Sequence, residues 1–296
     1  MRHTKAVRQN IIGIVYDFDG TLSPHNMQED TIFREWGIGR SMLWKKSDRL
    51  VRQGYERTLA YLKLLIHDPV FQKRPLDRGK LRRLAGRLSY FPGVPGYFDR
   101  INRFLRSQPE ARQWGIQLEH YIVSSGMLEI LEGARIFKAF KKVYACEYEY
   151  GPKGPLFPKL VINDTNKTQF LFRINKGKLE MKDDPNGPMS DEARRIPFRN
   201  MIYVGDSQTD IPSMTVVQRY GGHAIAVFNP AAAVPPLVKT MVASQRADHF
   251  APADYREPSL LVRILKLTLK KIVHDIAYAN SARMSFGWVR AHRRSR

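Results

Sequence analysis

Cysteine, acidic residues and long apolar runs are what this sequence has least of. One cysteine, Cys146, occurs in 296 residues, which excludes an intramolecular disulfide and any thiolate cluster around zinc. Such usage fits a reducing cytoplasm, the location expected here. The apolar stretch nearest the start, Ile11 to Tyr16, is far short of the roughly 20 residues that cross a bilayer. It is followed by acids and has no small-residue cleavage site, so no export signal is expected. Acids number 28 against 49 Lys and Arg, leaving a formal charge of +21. That excess raises nucleic acid, an anionic membrane and small phosphorylated molecules as partners, and charge by itself does not choose among them. The basic residues gather between Arg34 and Arg106 and again after Arg263, ending in Arg290, Arg293, Arg294 and Arg296. No internal repeat or long low-complexity segment is visible.

An apolar content of 43% with 26% charged residues is that of a folded chain. Its length accommodates one core and one smaller insertion. Four short runs rich in β-branched and aromatic residues, at 11–16, 121–124, 201–204 and 224–228, are each followed by polar or turn residues. Continuous apolar strands of this kind predict an α/β fold with a doubly wound parallel sheet, whose ligands collect at the strands' carboxyl ends. Residues 24–90 contain no comparable strand and carry apolar side chains at helical spacing, Leu59, Leu62, Leu65 and Ile66 among them, so an inserted helical cap is expected there. Residues 1–23 and 91–257 make the core, with a returning helix at 97–108. The segment 144–150 alternates, turns through 151–154 and resumes at 159–162, the pattern of a hairpin. Over 258–296 an amphipathic helix is expected, with Leu261, Ile264, Leu265, Thr268, Ile272 and Ile276 on one face, then a disordered, dispensable basic tail from Arg290.

Four polar clusters follow strands or open helices. Asp17-Phe18-Asp19-Gly20-Thr21 places two carboxylates just beyond the first strand. One can bind a divalent cation and attack phosphorus while the other hands a proton to the leaving oxygen. Ser124, Ser125 and Gly126 offer hydroxyls and backbone N–H groups before a short helical segment, a cradle for phosphate. Lys167 stands in a polar turn leading into a helix over 169–174, where its charge opposes the helix macrodipole unless an anion lies near. Lys176 falls late on that helix, where a cation is favoured anyway. Asp206 and Asp210 supply the oxygen ligands that magnesium prefers, directly after the strand at 201–204. Taken in order, these are the parts that phosphoryl transfer needs: a nucleophile, a leaving-group acid and charge neutralisation.

Through these residues the sequence resembles the haloacid dehalogenase superfamily, and within it the branch of phosphoserine phosphatases. The likeness spans residues 11–210, with the strand at 224–228 fitting as well. It implies a Rossmann-like core, with the cap inserted between the first and second motifs, and Asp17 as the nucleophile that forms an aspartyl-phosphate. Asp19 would act as general acid and then base, while Ser124, Ser125 and Lys167 bind the phosphoryl oxygens. Mg²⁺ would be held by the carboxylates of Asp17 and Asp206 and the carbonyl of Asp19. Asp210 would support the metal through water or orient Lys167. Dehalogenases of the superfamily lack the second acid, so Asp19 favours a phosphatase. Two departures are visible. Asn26 takes the place of the acid that reads the amine of phosphoserine, with Glu29 and Asp30 close by, and Thr209 stands where the branch often has Asn. The resulting expectation is a Mg²⁺-dependent phosphatase for a small phosphorylated metabolite, with a phosphotransferase as its nearest variant. The competing expectation is a protein that binds nucleic acid or an anionic membrane through its basic surface.

Overall fold

The computed structural model describes residues 9–293, except the side chains of Val242 and of residues 286–293. Ile11–Tyr16 forms β1, a strand of β-branched and aromatic residues buried along nearly its whole length. It lies between β2 (Gln117–Met127) and β5 (Met201–Gly205) and runs parallel to both, with Ile14 opposite His120 on one side and Ile202 on the other. With β3 (Lys142–Gly151), β4 (Gly154–Leu160), β6 (His223–Phe228) and β7 (His249–Pro252) it makes a seven-stranded sheet in the order β4-β3-β2-β1-β5-β6-β7. All neighbours are parallel except β3 and β4. From β1 the chain moves out through β2 and β3 to β4 at one edge, then returns to place β5 on the other side of β1, and ligands bind at such switch points in open α/β sheets.

Three features differ from the sequence expectations. The hairpin's second arm is Gly154–Leu160 instead of 159–162, because Gly154 takes φ +113° and pairs directly with Gly151, closing the turn at once. The first half of β3 also joins the parallel sheet, pairing Ile122 with Val143, so one strand belongs to both patterns. The sheet therefore has an antiparallel edge and is not wholly parallel. Finally, the Leu260–Arg293 helix continues through Arg290 with no break into an irregular tail, and residues 294–296 lie outside the described residues.

Between β1 and β2 the chain is helical, with main segments Arg40–Arg52, Arg57–His67, Arg78–Leu84 and Val94–Ser107. Their starts are written locally. Glu56 and Asp77 accept from the N–H groups of Leu59 and Lys80, and Asp68 caps a short helix whose first residue is Pro69. In the Val94–Ser107 helix the residues Val94, Tyr97, Phe98, Ile101 and Leu105 recur at helical spacing and are buried. Among the described residues no helix is long and apolar enough to cross a membrane.

A polar group lies within the aromatic core. The Tyr16 hydroxyl sits 3.1 Å from that of Tyr97 and 3.2 Å from Nδ1 of His120. Burial depresses the His120 imidazole to about 3, only slightly opposed by Glu119. The unfolded chain takes up a proton near pH 6.5 that the folded chain refuses, so this group's stabilisation is present above pH 6.5 and is lost as pH falls toward 3. Between pH 6 and 4 the unfolding free energy of His120→Gln should therefore fall less steeply than that of the parent, by about 1.4 kcal/mol per pH unit. Urea unfolding across that range tests this, and parallel slopes would show that His120 does not titrate as described.

Candidate active site

Asp17 follows the last residue of β1, and its N–H donates to the carbonyl of Val204 on β5 at 3.0 Å. That bond ties the loop after β1 to the neighbouring strand. The Asp17 carboxylate accepts from the N–H of Phe18 at 2.7 Å through Oδ1 and meets Lys167 Nζ at 2.9 Å through Oδ2. Lys167 opens the Lys167–Lys176 helix and is fully buried, with Asp210 Oδ1 at 2.8 Å and the Thr209 hydroxyl at 3.2 Å completing its donors' partners. The cation thus stands at a helix start for the reason the sequence suggested: two carboxylates face it. Lys176 reaches instead the carbonyls of Pro185 and Gly187 and closes a loop elsewhere.

The two acids after β5 behave differently. Asp210 accepts from Lys167, from the Tyr203 hydroxyl at 2.8 Å, and from the N–H groups of Asp206 and Ser207. Burial pushes its carboxyl up, but Lys167 and these hydrogen bonds outweigh it, and the net shift is downward. Asp206 accepts one hydrogen bond from a side chain, that of the Thr21 hydroxyl at 2.9 Å, and burial with the charges of Asp210 and Asp17 drives its carboxyl well above the usual range. Asp17 is raised for the same first cause, burial, in spite of Lys167. Carboxylate oxygens of Asp17, Asp206 and Asp210 lie within 4.8 Å of one another. Because Asp210 already satisfies its oxygens, Asp17 and Asp206 are the pair with lone pairs to spare, and two crowded, poorly compensated carboxylates fit a hard divalent cation.

Gly20 makes this crowding feasible. It adopts φ +80°, and a Cβ there would overlap the Asp206 carboxylate. Asp19 turns its own carboxylate the other way, accepting from the N–H of Met27 at 2.8 Å, and burial followed by the charge of Asp17 raises it well above the ordinary carboxylate range. Ser124 and Ser125 sit on β2, which extends to Met127 before the chain turns helical. Ser124 Oγ accepts from Gly126 N, whereas the Ser125 hydroxyl is buried without a protein partner. Asp17, Asp19, Gly20, Ser124, Ser125, Gly126 and Asp206 line a cavity of about 600 Å³, and Lys167 and Asp210 stand behind its wall. Glu29, Trp44, Asp48, Arg57, Thr58 and Tyr61 form part of its far wall. There Asn26 is engaged with Glu29 at 3.0 Å, and Trp44 donates to the same carboxylate at 2.9 Å.

Four further contributors are given no role by local sequence pattern, although Thr21 closes the first motif and Asp30 stands near Asn26. Thr21 holds Asp206, Tyr203 holds Asp210, Tyr61 donates to the carbonyl of Ser125 at 2.6 Å, and Asp30 accepts from the N–H of Ser89 at 2.9 Å, joining the two connections that flank residues 31–88. Tyr203 carried the one usable signal, since a tyrosine inside a buried strand needs a partner for its hydroxyl.

No family model matches the chain. An uncharacterized protein of Borreliella burgdorferi is 28% identical, the alignment covering 86% of this chain and 95% of that one. A phosphoserine phosphatase solved as a phospho-aspartyl intermediate analogue superposes with a TM-score of 0.53 at 17% identity, over 87% of this chain and 99% of the other. A HAD family hydrolase from Salmonella enterica subsp. enterica serovar Typhi gives a TM-score of 0.52 at 16% identity, over 82% and 67% respectively. The chain has the haloacid dehalogenase fold, in the form that phosphoserine phosphatases share.

Proposed function

We propose that the chain is a Mg²⁺-dependent phosphatase that hydrolyses a small phosphomonoester through an aspartyl-phosphate on Asp17. The observation that carries this reading is the Asp17 carboxylate, fixed between Lys167 and the Phe18 N–H, facing Asp206 and bordering the same cavity as Asp19. Asp17 and Asp206, with the Asp19 carbonyl, would hold Mg²⁺, which when bound supplies charge neutralisation and orients the phosphoryl group. Lys167, the Ser125 hydroxyl and Ser124 would bind phosphoryl oxygens. The raised carboxyl of Asp19 holds a proton for the departing oxygen; once it is given up, the carboxylate takes one from the water that attacks the acyl phosphate, releasing inorganic phosphate and restoring Asp17. The solved analogue of a phospho-aspartyl state on this fold is consistent with that sequence. Residues 24–90 would act as the cap, and Glu29, Trp44, Arg57 and Thr58 would meet the leaving group.

The test combines metal and leaving group. Purified protein should release phosphate from phosphomonoesters with Mg²⁺ and fall to background with EDTA. Asp19→Asn should lose about 10²–10⁴-fold on alkyl phosphates and markedly less on aryl phosphates, whose leaving groups need little protonation. Equal losses on both classes would remove Asp19 from the acid role, and activity indifferent to EDTA would remove the metal.

A further inference from the structure

We propose that the outer face of the Leu260–Arg293 helix docks on an anionic lipid surface. This helix packs an inner stripe, Leu261, Leu265, Leu269, Ile272, Val273 and Ile276, into the core. Its opposite side exposes Leu260, Leu267 (67%) and Tyr278 (80%). Their spacings of seven and eleven residues are close to whole numbers of helical turns, so the three fall on one line along the helix. Single exposed apolar residues are ordinary, but an aligned set bordered by cations is the pattern of an interfacial helix. Arg263, Lys270, Lys271 and His274 are exposed beside that line.

Over its length the helix holds seven Lys and Arg against one acid, Asp275, which is paired with Lys271 at 2.8 Å. The neighbouring Val94–Ser107 helix adds exposed Arg103 and Arg106, and Lys266 and Lys270 lie 5.0 and 5.9 Å from the centre of the Phe104 ring, tying the two helices together. Beyond Ile276, Met284 and Arg283 are exposed as well.

Charge and shape together select the occupant. A second copy of the chain would bring cations against cations. Nucleic acid would satisfy the cations but leave two leucines with nothing to bury against, since it offers phosphates and base faces. An anionic bilayer satisfies both, its headgroups pairing with Lys and Arg while the acyl boundary takes Leu260, Leu267 and Tyr278.

Co-sedimentation of the full chain with phosphatidylcholine vesicles, with and without phosphatidylglycerol, tests the proposal. Binding should require the anionic lipid. Leu267→Ser/Tyr278→Ser and, separately, Lys270→Glu/Lys271→Glu should each weaken it about tenfold or more, while hydrolysis of a soluble aryl phosphate stays at the parent rate and reports an intact fold. Binding that ignores lipid charge, or that survives the leucine–tyrosine replacement, overturns the proposal. So does the absence of vesicle binding together with capture of RNA or duplex DNA that either double variant abolishes, which would assign the face to nucleic acid.

Discussion

Asp17→Asn is expected to lower turnover by at least about 10³-fold while the protein stays folded. The amide is isosteric and can still accept from the Phe18 N–H, so the loop after β1 keeps its anchor. What disappears is the oxygen proposed as nucleophile and its charge. Lys167 loses one of two ion-pair partners but keeps Asp210. The same substitution relieves repulsion with Asp206 and Asp210, both of which crowd Asp17, so thermal stability without metal should stay level or rise. Steady-state assays with an aryl phosphate, alongside mass spectrometry for a phosphorylated Asp17 in the parent enzyme, measure both halves. A variant retaining more than about one per cent of activity would refute attack by Asp17.

The second large effect is expected at Lys167. Lys167→Met replaces a fully buried cation by an apolar chain of similar length, leaving Asp17 and Asp210 facing each other without their counter-ion. Breaking a buried ion network from one side costs about 3–5 kcal/mol, and loss of the cation proposed to bind phosphoryl oxygens should lower turnover by about 10²–10³-fold. The stability loss should shrink as pH falls from 7 to 5, because the stranded carboxyls take up protons and shed their repulsion. Added Mg²⁺ should recover part of the stability and little of the rate. Urea unfolding at two pH values, with and without Mg²⁺, decides this, and parent-like stability in the variant would mean that Lys167 is not the counter-ion of this pair.

Much of this site was legible because each acid, hydroxyl or cation stands just past a strand or at a helix start, where local pattern marks it. The candidate residues Asp17, Asp19, Ser124, Lys167, Asp206 and Asp210 are all marked in that way. The supports were not legible, because they act across the chain. Thr21 reaches Asp206 over 185 residues and Tyr61 reaches Ser125 over 64, and no window of sequence joins those pairs. β7 escaped notice for a different reason. It has four residues, His249 and Phe250 are exposed, and it ends in proline, so it lacks the apolar run that revealed the inner strands. The split pairing of β3 was hidden because one alternating segment serves a parallel neighbour at one end and an antiparallel one at the other.

The central position of β1 has a consequence for synthesis. Its partners begin at Gln117 and Met201, so β1 is made well before either of the strands that enclose it. Until residue 205 has emerged, Ile11–Tyr16 lacks one neighbour and presents an unpaired apolar edge, the kind of segment that joins other chains. Contacts this distant in sequence also close slowly. The loop after β1, whose Asp17 N–H waits for Val204, therefore takes shape only when most of the chain has been made, and a nascent chain that stalls earlier carries all of the first motif without the strand that anchors it.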